Sequence, residues 1–310
     1  MDLLKLTLME PHICIIILNW NGYHITRECL LSLKSITYTN NTIILVDNGS
    51  TDNSIEKLSQ EFKQIDYLTL TKNYGFAGGN NRGIEYAIIK YNPEYILLLN
   101  NDTVVNSDFL NKLIDPFRGN DKVYAAVPKI YFYDKKDIIW SAGGKISKLT
   151  GIVTEYGKNK KDSAATTRQG ATGFMNGCAA LLSAKAINEI GLFDEQFFAY
   201  SEDTDYSIRI LKSGHTIVYV PESVIYHKVS HSFRRNNGNW FKYYLATRNI
   251  ILLQRKHLDK SLFPVFVAVF IFRWVLYMTL KLIILSQFKP ALAICRGFYD
   301  GLANRKRYDL

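Results

Sequence analysis

"LLLNNDTVV", residues 97–105, ends an apolar run of strand length in two asparagines and an aspartate before resuming as Val-Val. A buried strand that closes on polar groups either enters a loop or delivers side chains to a site. What else the chain brings near Asp102 decides between them. The same pattern recurs upstream: "HICIIIL" (12–18), "TIILV" (42–46), "DYLTL" (66–70) and "EYILLL" (94–99) are apolar runs of strand length. Between them, "ITRECLLSLKSI" (25–36), "STDNSIEKLSQEF" (50–62) and a segment near 80–90 have helical spacing. The second opens with Ser/Thr/Asp capping chemistry. Strands this apolar, alternating with helices, predict an α/β fold: a Rossmann-like, mainly parallel sheet with helices on both faces.

In such sheets ligands lie beyond the carboxyl ends of the strands. Those ends read Asn19-Trp20-Asn21-Gly22, Asp47-Asn48-Gly49-Ser50, Asn73-Tyr74-Gly75 and Asn100-Asn101-Asp102. Asn and Gly are ordinary loop residues singly. Four consecutive strand ends placing Asn, Asp and Gly on one edge predict a site.

The 310 residues are 47% hydrophobic and 21% charged, a globular composition with room for a sizeable core. Four cysteines, Cys14, Cys29, Cys178 and Cys295, form no CxxC or Cys/His cluster and read as free thiols in a reducing compartment. "MDLLKLTLMEPH" lacks the basic and apolar regions of a secretory signal, so the catalytic part is expected in the cytoplasm. Charge is uneven. Residues 1–227 hold 23 Lys/Arg and 25 Asp/Glu, whereas residues 228–310 hold 15 and 3. A near-neutral body thus carries a strongly basic tail.

Three stretches carry candidate chemistry. "GFAGGNN" (75–81) is a Gly-rich turn opening a helix, either an ordinary tight turn or a set of amides facing a phosphate. "GLFDEQFFAYSEDTDYSIRI" (191–210) crowds Asp194, Glu195, Glu202, Asp203 and Asp205. Helix capping and an Asp205–Arg209 pair explain Glu202 and Asp205. They explain Asp203 less well, and carboxylates this crowded raise one another's pKa, as a general base requires. His227 closes the strand "SVIYH" and is either structural or a metal ligand paired with Asp102. Imidazole with carboxylate suits Mn²⁺, and Asp102 with phosphate oxygens suits Mg²⁺. From 130 to 172 the pattern degrades into a hairpin and an exposed Lys-rich loop. Order returns with "GFMNGCAALLS" (173–183), a short helix from Ser183 to Gly191, a helix over 203–214 capped by Gly214, and strands "TIVYV" and "SVIYH".

"NWNG", "VDNGSTDNS", "NYGFAGGNNRGI", "LLLNNDTVV", "GFMNGCAALLS" and "GLFDEQFFAYSEDTDYSIRILKSG", in this order and spacing, resemble the inverting family 2 glycosyltransferases of the GT-A fold, in particular their rhamnosyltransferase-like branch. The likeness covers roughly residues 12–227. It implies that Asp102 is the last carboxylate of the family's DxD motif, holding a divalent metal, Mg²⁺ or Mn²⁺, on a nucleotide diphosphate. The first position of that motif is Asn100, which can bond a ribose hydroxyl but brings no charge to the metal. The resemblance further implies that Asp47 reads the base, that Phe76, Gly79 and Asn81 line the nucleotide pocket, and that Gly177 approaches the donor sugar. With Asn19, Asn100 and Asn101 from the strand ends, these form the nucleotide-sugar site. Asp203 falls in the family's ED motif as catalytic base, and His227 completes the metal site with Asp102.

Two regions are expected: a GT-A catalytic domain over 1–230, and a basic, amphipathic helical region over 231–310 that attaches to membranes. Residues 262–285 could span a bilayer only with Arg273 and Lys281 inside it, at about 2.5–3.5 kcal/mol for a central charge. A helix lying in the interface avoids that cost. "RRNNGNW" (234–240) and "ANRKRY" (303–308) add charge. The positive charge alone would allow nucleic acid, but segments so rich in Phe, Ile and Leu argue against it. A core helix with a solvated basic face is the plain alternative. The expected partners are therefore a nucleotide-diphosphate sugar donor, a lipid-linked glycan acceptor and an anionic membrane surface, with the protein peripheral on the cytoplasmic face of the cell membrane. A polyprenyl-phosphate sugar synthase and a non-catalytic sugar-nucleotide binder remain as alternatives.

Overall fold

The structure, a computed structural model, describes residues 10–229 and 238–305. The N-terminal nonapeptide, the expected domain boundary at 230/231, and parts of both flanking basic stretches lie outside the described residues.

Strands β1 (Ile13–Asn19), β2 (Asn41–Asp47), β3 (Asp66–Thr69) and β4 (Tyr95–Asn100) form in order, with helices α1 (Tyr23–Leu33), α2 (Ser54–Glu61) and α3 (Gly75–Tyr91) between them. After β4 come β5 (Thr103–Val105), the short α4 (Phe109–Leu113), β6 (Val123–Phe132), β7 (Ile139–Ser141), β8 (Gly144–Ile146), β9 (Val153–Glu155), β10 (Gly170–Thr172) and β11 (Ala179–Ser183). Helices α5 (Ala184–Ile190) and α6 (Glu202–Lys212) and the long β12 (Thr216–His227) follow. The central sheet runs β10-β12-β6-β11-β4-β1-β2-β3, with β5 on β12 and β7 on β6. The four N-terminal strands are mutually parallel, and β11 enters antiparallel between β4 and β6.

The register explains the site edge. Asn19 pairs with Asp47, Asp47 with Thr69, and Leu18 with Asn100, so the polar strand ends finish in one row. Alternate residues of β1 face opposite layers. Ile13, Ile15 and Ile17 join Cys29, Leu30 and Leu58 of α1 and α2, whereas Cys14 and Ile16 join Ala77 and Ile84 of α3. A strand buried on both sides has no polar phase, hence the unbroken apolar runs.

Two local readings change. "GFAGG" is not a turn before a helix but the first turns of α3 itself. Its glycines let α3 lie directly on β1. A Cβ at Gly79 would stand 2.5 Å from Leu18 Cδ1, and one at Gly83 2.7 Å from Ile16 Cγ2. Second, "TIVYV" and "SVIYH" are one strand, kinked by a register shift between Val220 and Val224 rather than broken. The short helix and its caps form as read: Ser183 Oγ accepts the Ala186 amide at 3.0 Å and Gly191 follows at φ +84°. Cys14, Cys29 and Cys178 are buried free thiols, and Cys295 is an exposed one.

The tail is helical: α7 (Gly238–His257), α8 (Phe263–Phe270), a π-helical turn over Ile271–Leu276, α9 (Tyr277–Ile284) and α10 (Phe288–Leu302). Helix α10 crosses α7 closely through two glycines. A Cβ at Gly297 would meet the Tyr244 carbonyl at 2.5 Å, and one at Gly301 the Arg248 carbonyl at 3.0 Å. Phe263–Ile284 is, among the described residues, one helical run of 22 residues long and apolar enough by length and composition to cross a membrane, and it is mostly exposed.

Candidate active site

Asp203 is in the first turn of α6, directly after Phe198, Tyr200 and Ser201, all at positive φ (62°, 69° and 72°). Three non-glycine residues in the left-handed region within four positions store strain of the kind found at functional sites. The strain is held by outside contacts. The Asn249 amide of α7 donates to the carbonyls of Phe197, Ala199 and Tyr200 at 2.7–2.8 Å. Arg248 donates to the Gln196 and Phe197 carbonyls, and the Ala77 amide to the Phe198 carbonyl at 3.1 Å. So the loop that aims Asp203 is set by the tail helix on one side and by α3 on the other.

The carboxylate accepts the Gly177 amide at 3.1 Å and the Thr204 amide at 2.7 Å while keeping part of its surface open. Burial pushes it up to about 6 against those donors, which favour the charged form. Glu202 beside it is buried, and burial together with the Asp203 charge holds it well above the usual carboxylate range. Glu202 Oε2 has no hydrogen-bond partner, which fits a protonated side chain. Asp205 behaves oppositely. Burial pushes it up, but the His257 bond and the Arg209 and Lys256 charges outweigh that and hold it at about 2. The five crowded carboxylates therefore divide. Asp205 anchors α6 to the end of α7, Glu202 stays neutral, and Asp203 is poised to exchange a proton near neutrality.

Across the cleft, Asp102 Oδ1 lies 3.0 Å from His227 Nε2, both side chains buried. Pairing of β5 with β12, with Thr103 opposite His227, makes this meeting. Two donors 3.0 Å apart match one edge of an octahedron with bonds of about 2.1 Å, so they fit a single hard divalent ion. Among the described residues no third His, Cys, Asp or Glu completes a cage. An ion held there would take its remaining ligands from outside these side chains. The two halves of the site meet at one dipeptide: the Cys178 carbonyl accepts the Asn100 amide at 2.8 Å while the Gly177 amide bonds Asp203. The Phe76 ring is 3.3 Å from where a Gly177 Cβ would be, so Gly177 keeps this passage open.

Several expected contact residues lie beneath the cleft instead. Asp47 is 1% exposed and accepts Asn19 Nδ2 at 3.0 Å and the Ser50 amide at 3.2 Å. Asn19 in turn accepts Thr26 Oγ1, which accepts Asn101 Nδ2 (both 2.8 Å), a buried chain that locks three strand ends together. Asn81 does not line a pocket in this structure: it is buried, and its amide is taken up by both backbone groups of Phe193 and by Glu195. Gly79 is a packing glycine on the face of α3 that meets Leu18 of β1. Nor do the Gly75 and Ala77 amides offer a phosphate cradle, since Asn73 Oδ1 and the Phe198 carbonyl already accept them. Asn100 remains partly exposed at the mouth. Sequence reading missed Thr26, Asn249 and Arg248; only the unusual Arg-Asn pair in an apolar helical run hinted at the last two.

A sheet of this order, with its polar ends gathered at one edge, is a GT-A fold. The crystal structure of GalNAc-T7 with UDP, GalNAc and Mn²⁺ matches at a TM-score of 0.66 and 17% identity, covering 79% of this chain and 48% of that one. Mannosyltransferase PcManGT from Pyrobaculum calidifontis, in complex with GDP-Man and Mn²⁺, matches at 0.58 and 12% identity over 96% of this chain and 89% of the other. The profile of glycosyl transferase family 2 covers residues 14–191, and the chain belongs to that family; it is a glycosyltransferase. The N-acetylglucosaminyl-diphospho-decaprenol L-rhamnosyltransferase of Mycobacterium tuberculosis (strain CDC 1551 / Oshkosh) is 25% identical over 252 residues, 76% of this chain and 81% of the relative. The poly-beta-1,6-N-acetyl-D-glucosamine synthase of Staphylococcus epidermidis is 27% identical over 210 residues, but the match spans only 47% of that synthase.

Proposed function

We propose that the protein is an inverting glycosyltransferase that moves a sugar, rhamnose or a close relative, from a nucleotide-diphosphate donor to a hydroxyl of a lipid-linked glycan at the cytoplasmic face of the membrane. The observation that carries this reading is the raised, partly open Asp203 carboxylate bonded to the Gly177 amide, next to Cys178, whose carbonyl accepts the Asn100 amide beside Asp102. The rhamnosyltransferase relative's name supports rhamnose as the transferred sugar and a lipid-linked acceptor, and the solved neighbours, one with UDP, GalNAc and Mn²⁺ and one with GDP-Man and Mn²⁺, support a nucleotide-diphosphate donor and a divalent ion.

The chemistry follows from the residue types. The acceptor hydroxyl gives its proton to Asp203 as its oxygen bonds the anomeric carbon from the face opposite the leaving group. The bond from that carbon to the phosphate oxygen breaks, and the nucleoside diphosphate departs with the electron pair. One displacement inverts the configuration. Asp102 and His227 would hold the divalent ion, Asn100 bonds the donor's ribose, and Phe76 and Gly177 shape the space for the transferred sugar. When bound, the ion neutralises charge on the departing diphosphate. The buried Asp47–Asn19–Thr26–Asn101 chain keeps the strand ends in place so that these groups need not reorganise. Asp47, which the resemblance assigned to the base, acts from below through the Ser50 loop.

The test is turnover of a panel of nucleotide sugars with an isoprenoid-diphosphate-linked glycan, with product anomers assigned by NMR. Retention of configuration, or donor binding with no transfer to any acceptor, overturns the proposal.

A further inference from the structure

Helices α7 and α10 border an open recess of about 300 Å³ lined by Trp240, Tyr244, Lys289, Leu292, Ala293 and Arg296. We propose that this recess receives the diphosphate of an isoprenoid-linked acceptor, with Lys289 and Arg296 on the phosphates; the proposal rests on the lipid-linked acceptor read above.

Residues 289, 292, 293 and 296 share one face of α10. About 10 Å of helix separates the two cationic residues, a span that two long side chains can close onto one diphosphate. Neither pairs with a carboxylate among the described residues, in contrast to Lys256, which is spent on Asp194 and Asp205. Asp300 is buried behind the wall and accepts the Tyr244 hydroxyl at 3.0 Å. An unneutralised cation pair over aromatic and aliphatic walls calls for an anion carrying an apolar body.

The recess lies between the two places such a molecule must reach. On one side, Ala291 and Ile294 of α10 pack with Val275 and Leu282 of the exposed apolar run, which gives the isoprenoid chain an apolar path outward. On the other, Trp240, Tyr244 and Ala293 contact or adjoin the cluster containing Phe76, Phe198 and Tyr200. Phe76 borders Gly177, whose amide bonds Asp203. Phosphates at Lys289 and Arg296 therefore leave the lipid on the membrane side and the first sugars on the side of the base.

The experiment uses the full chain in detergent micelles, with farnesyl diphosphate, farnesol and inorganic diphosphate as probes in isothermal titration. Farnesyl diphosphate should bind, and each half-ligand at least about tenfold more weakly. The double variant Lys289→Gln/Arg296→Gln should lose roughly tenfold or more in farnesyl diphosphate affinity, with thermal unfolding and nucleoside diphosphate affinity unchanged. Both positions are exposed, so folding should survive; Leu292→Glu, which spoils the apolar wall and keeps the cations, should weaken the same binding. Equal affinity in parent and double variant overturns the assignment. So does a variant that loses only sedimentation with phosphatidylglycerol vesicles, which makes the pair a bilayer contact. Transfer to a water-soluble glycan, which needs Asp203 but not the recess, should be unchanged in the variant, so failure of the catalytic reading shows separately.

Discussion

Replacing Asp203 by Asn removes the proton acceptor while keeping size, and two independent quantities should move. The first is rate. Loss of a general base costs roughly 10²–10⁴-fold. Because burial sets the parent carboxyl at about 6, the parent's kcat/KM should fall with acid through that pH. One pH unit below, only about a tenth of the carboxyl is ionised, so the parent should lose about tenfold, and the variant's residual rate should show no such limb. The second is stability. The folded-state value lies above the unfolded one of 3.8, so the native state holds more protons between about pH 4 and 6 and its stability falls as pH rises through that window. Asn is free of that penalty. From pH 4 to 7 the difference in unfolding free energy should therefore shift in the variant's favour by at most about 3 kcal/mol, at 1.36 kcal/mol per pKa unit. An offset of about 1–3 kcal/mol arises because Asn can accept only one of the Gly177 and Thr204 amides well. Initial rates over pH 5–8 and urea unfolding at pH 4, 5.5 and 7 read both. Near-parental turnover, or the same acid limb in both proteins, refutes Asp203 as base.

Glu202→Gln copies the protonated acid, so it should leave turnover within about threefold and stability within about 1 kcal/mol at pH 7, measured by the same rates and unfolding curves. Asn249→Ala strips the Ala199 and Tyr200 carbonyls of their side-chain donor, while Phe197 keeps Arg248, and should cost about 2–4 kcal/mol in urea unfolding, with kcat falling more than donor affinity. Asp102→Ala should abolish the part of nucleoside diphosphate affinity that a chelator removes, while Asn100→Asp should strengthen it; calorimetry indifferent to both chelator and Asp102→Ala sinks the metal assignment. The full chain should sediment with anionic vesicles, less so in high salt but not to zero, because apolar insertion is unscreened. Phe272→Asp with Leu280→Asp, two exposed residues of the apolar run, should abolish that sedimentation; unchanged binding assigns membrane attachment elsewhere.

The sequence alone determined the layers and the edge. Unbroken apolar runs such as "HICIIIL" can only be strands covered on both sides, and parallel pairing in register then brings Asn19, Asp47 and Asn100 to one rim. Both follow from local chemistry repeated along the chain, which is why Asp102 and Asp203 could be singled out before any coordinates. What the sequence could not show was how each polar group is spent. Asp47, Asn81 and Gly79 carry the residue types of a ligand pocket, yet their partners, Asn19, Phe193 and Leu18, lie 28, 112 and 61 positions away. The division of labour among Glu202, Asp203 and Asp205 likewise depends on distant groups, Gly177 for one and Lys256 and His257 for another. Nor did composition reveal that the basic tail, read as an attachment device, also grips the loop that leads into Asp203. A carboxylate's role is set by what surrounds it in three dimensions, and burial and pairing are decided only when the chain closes.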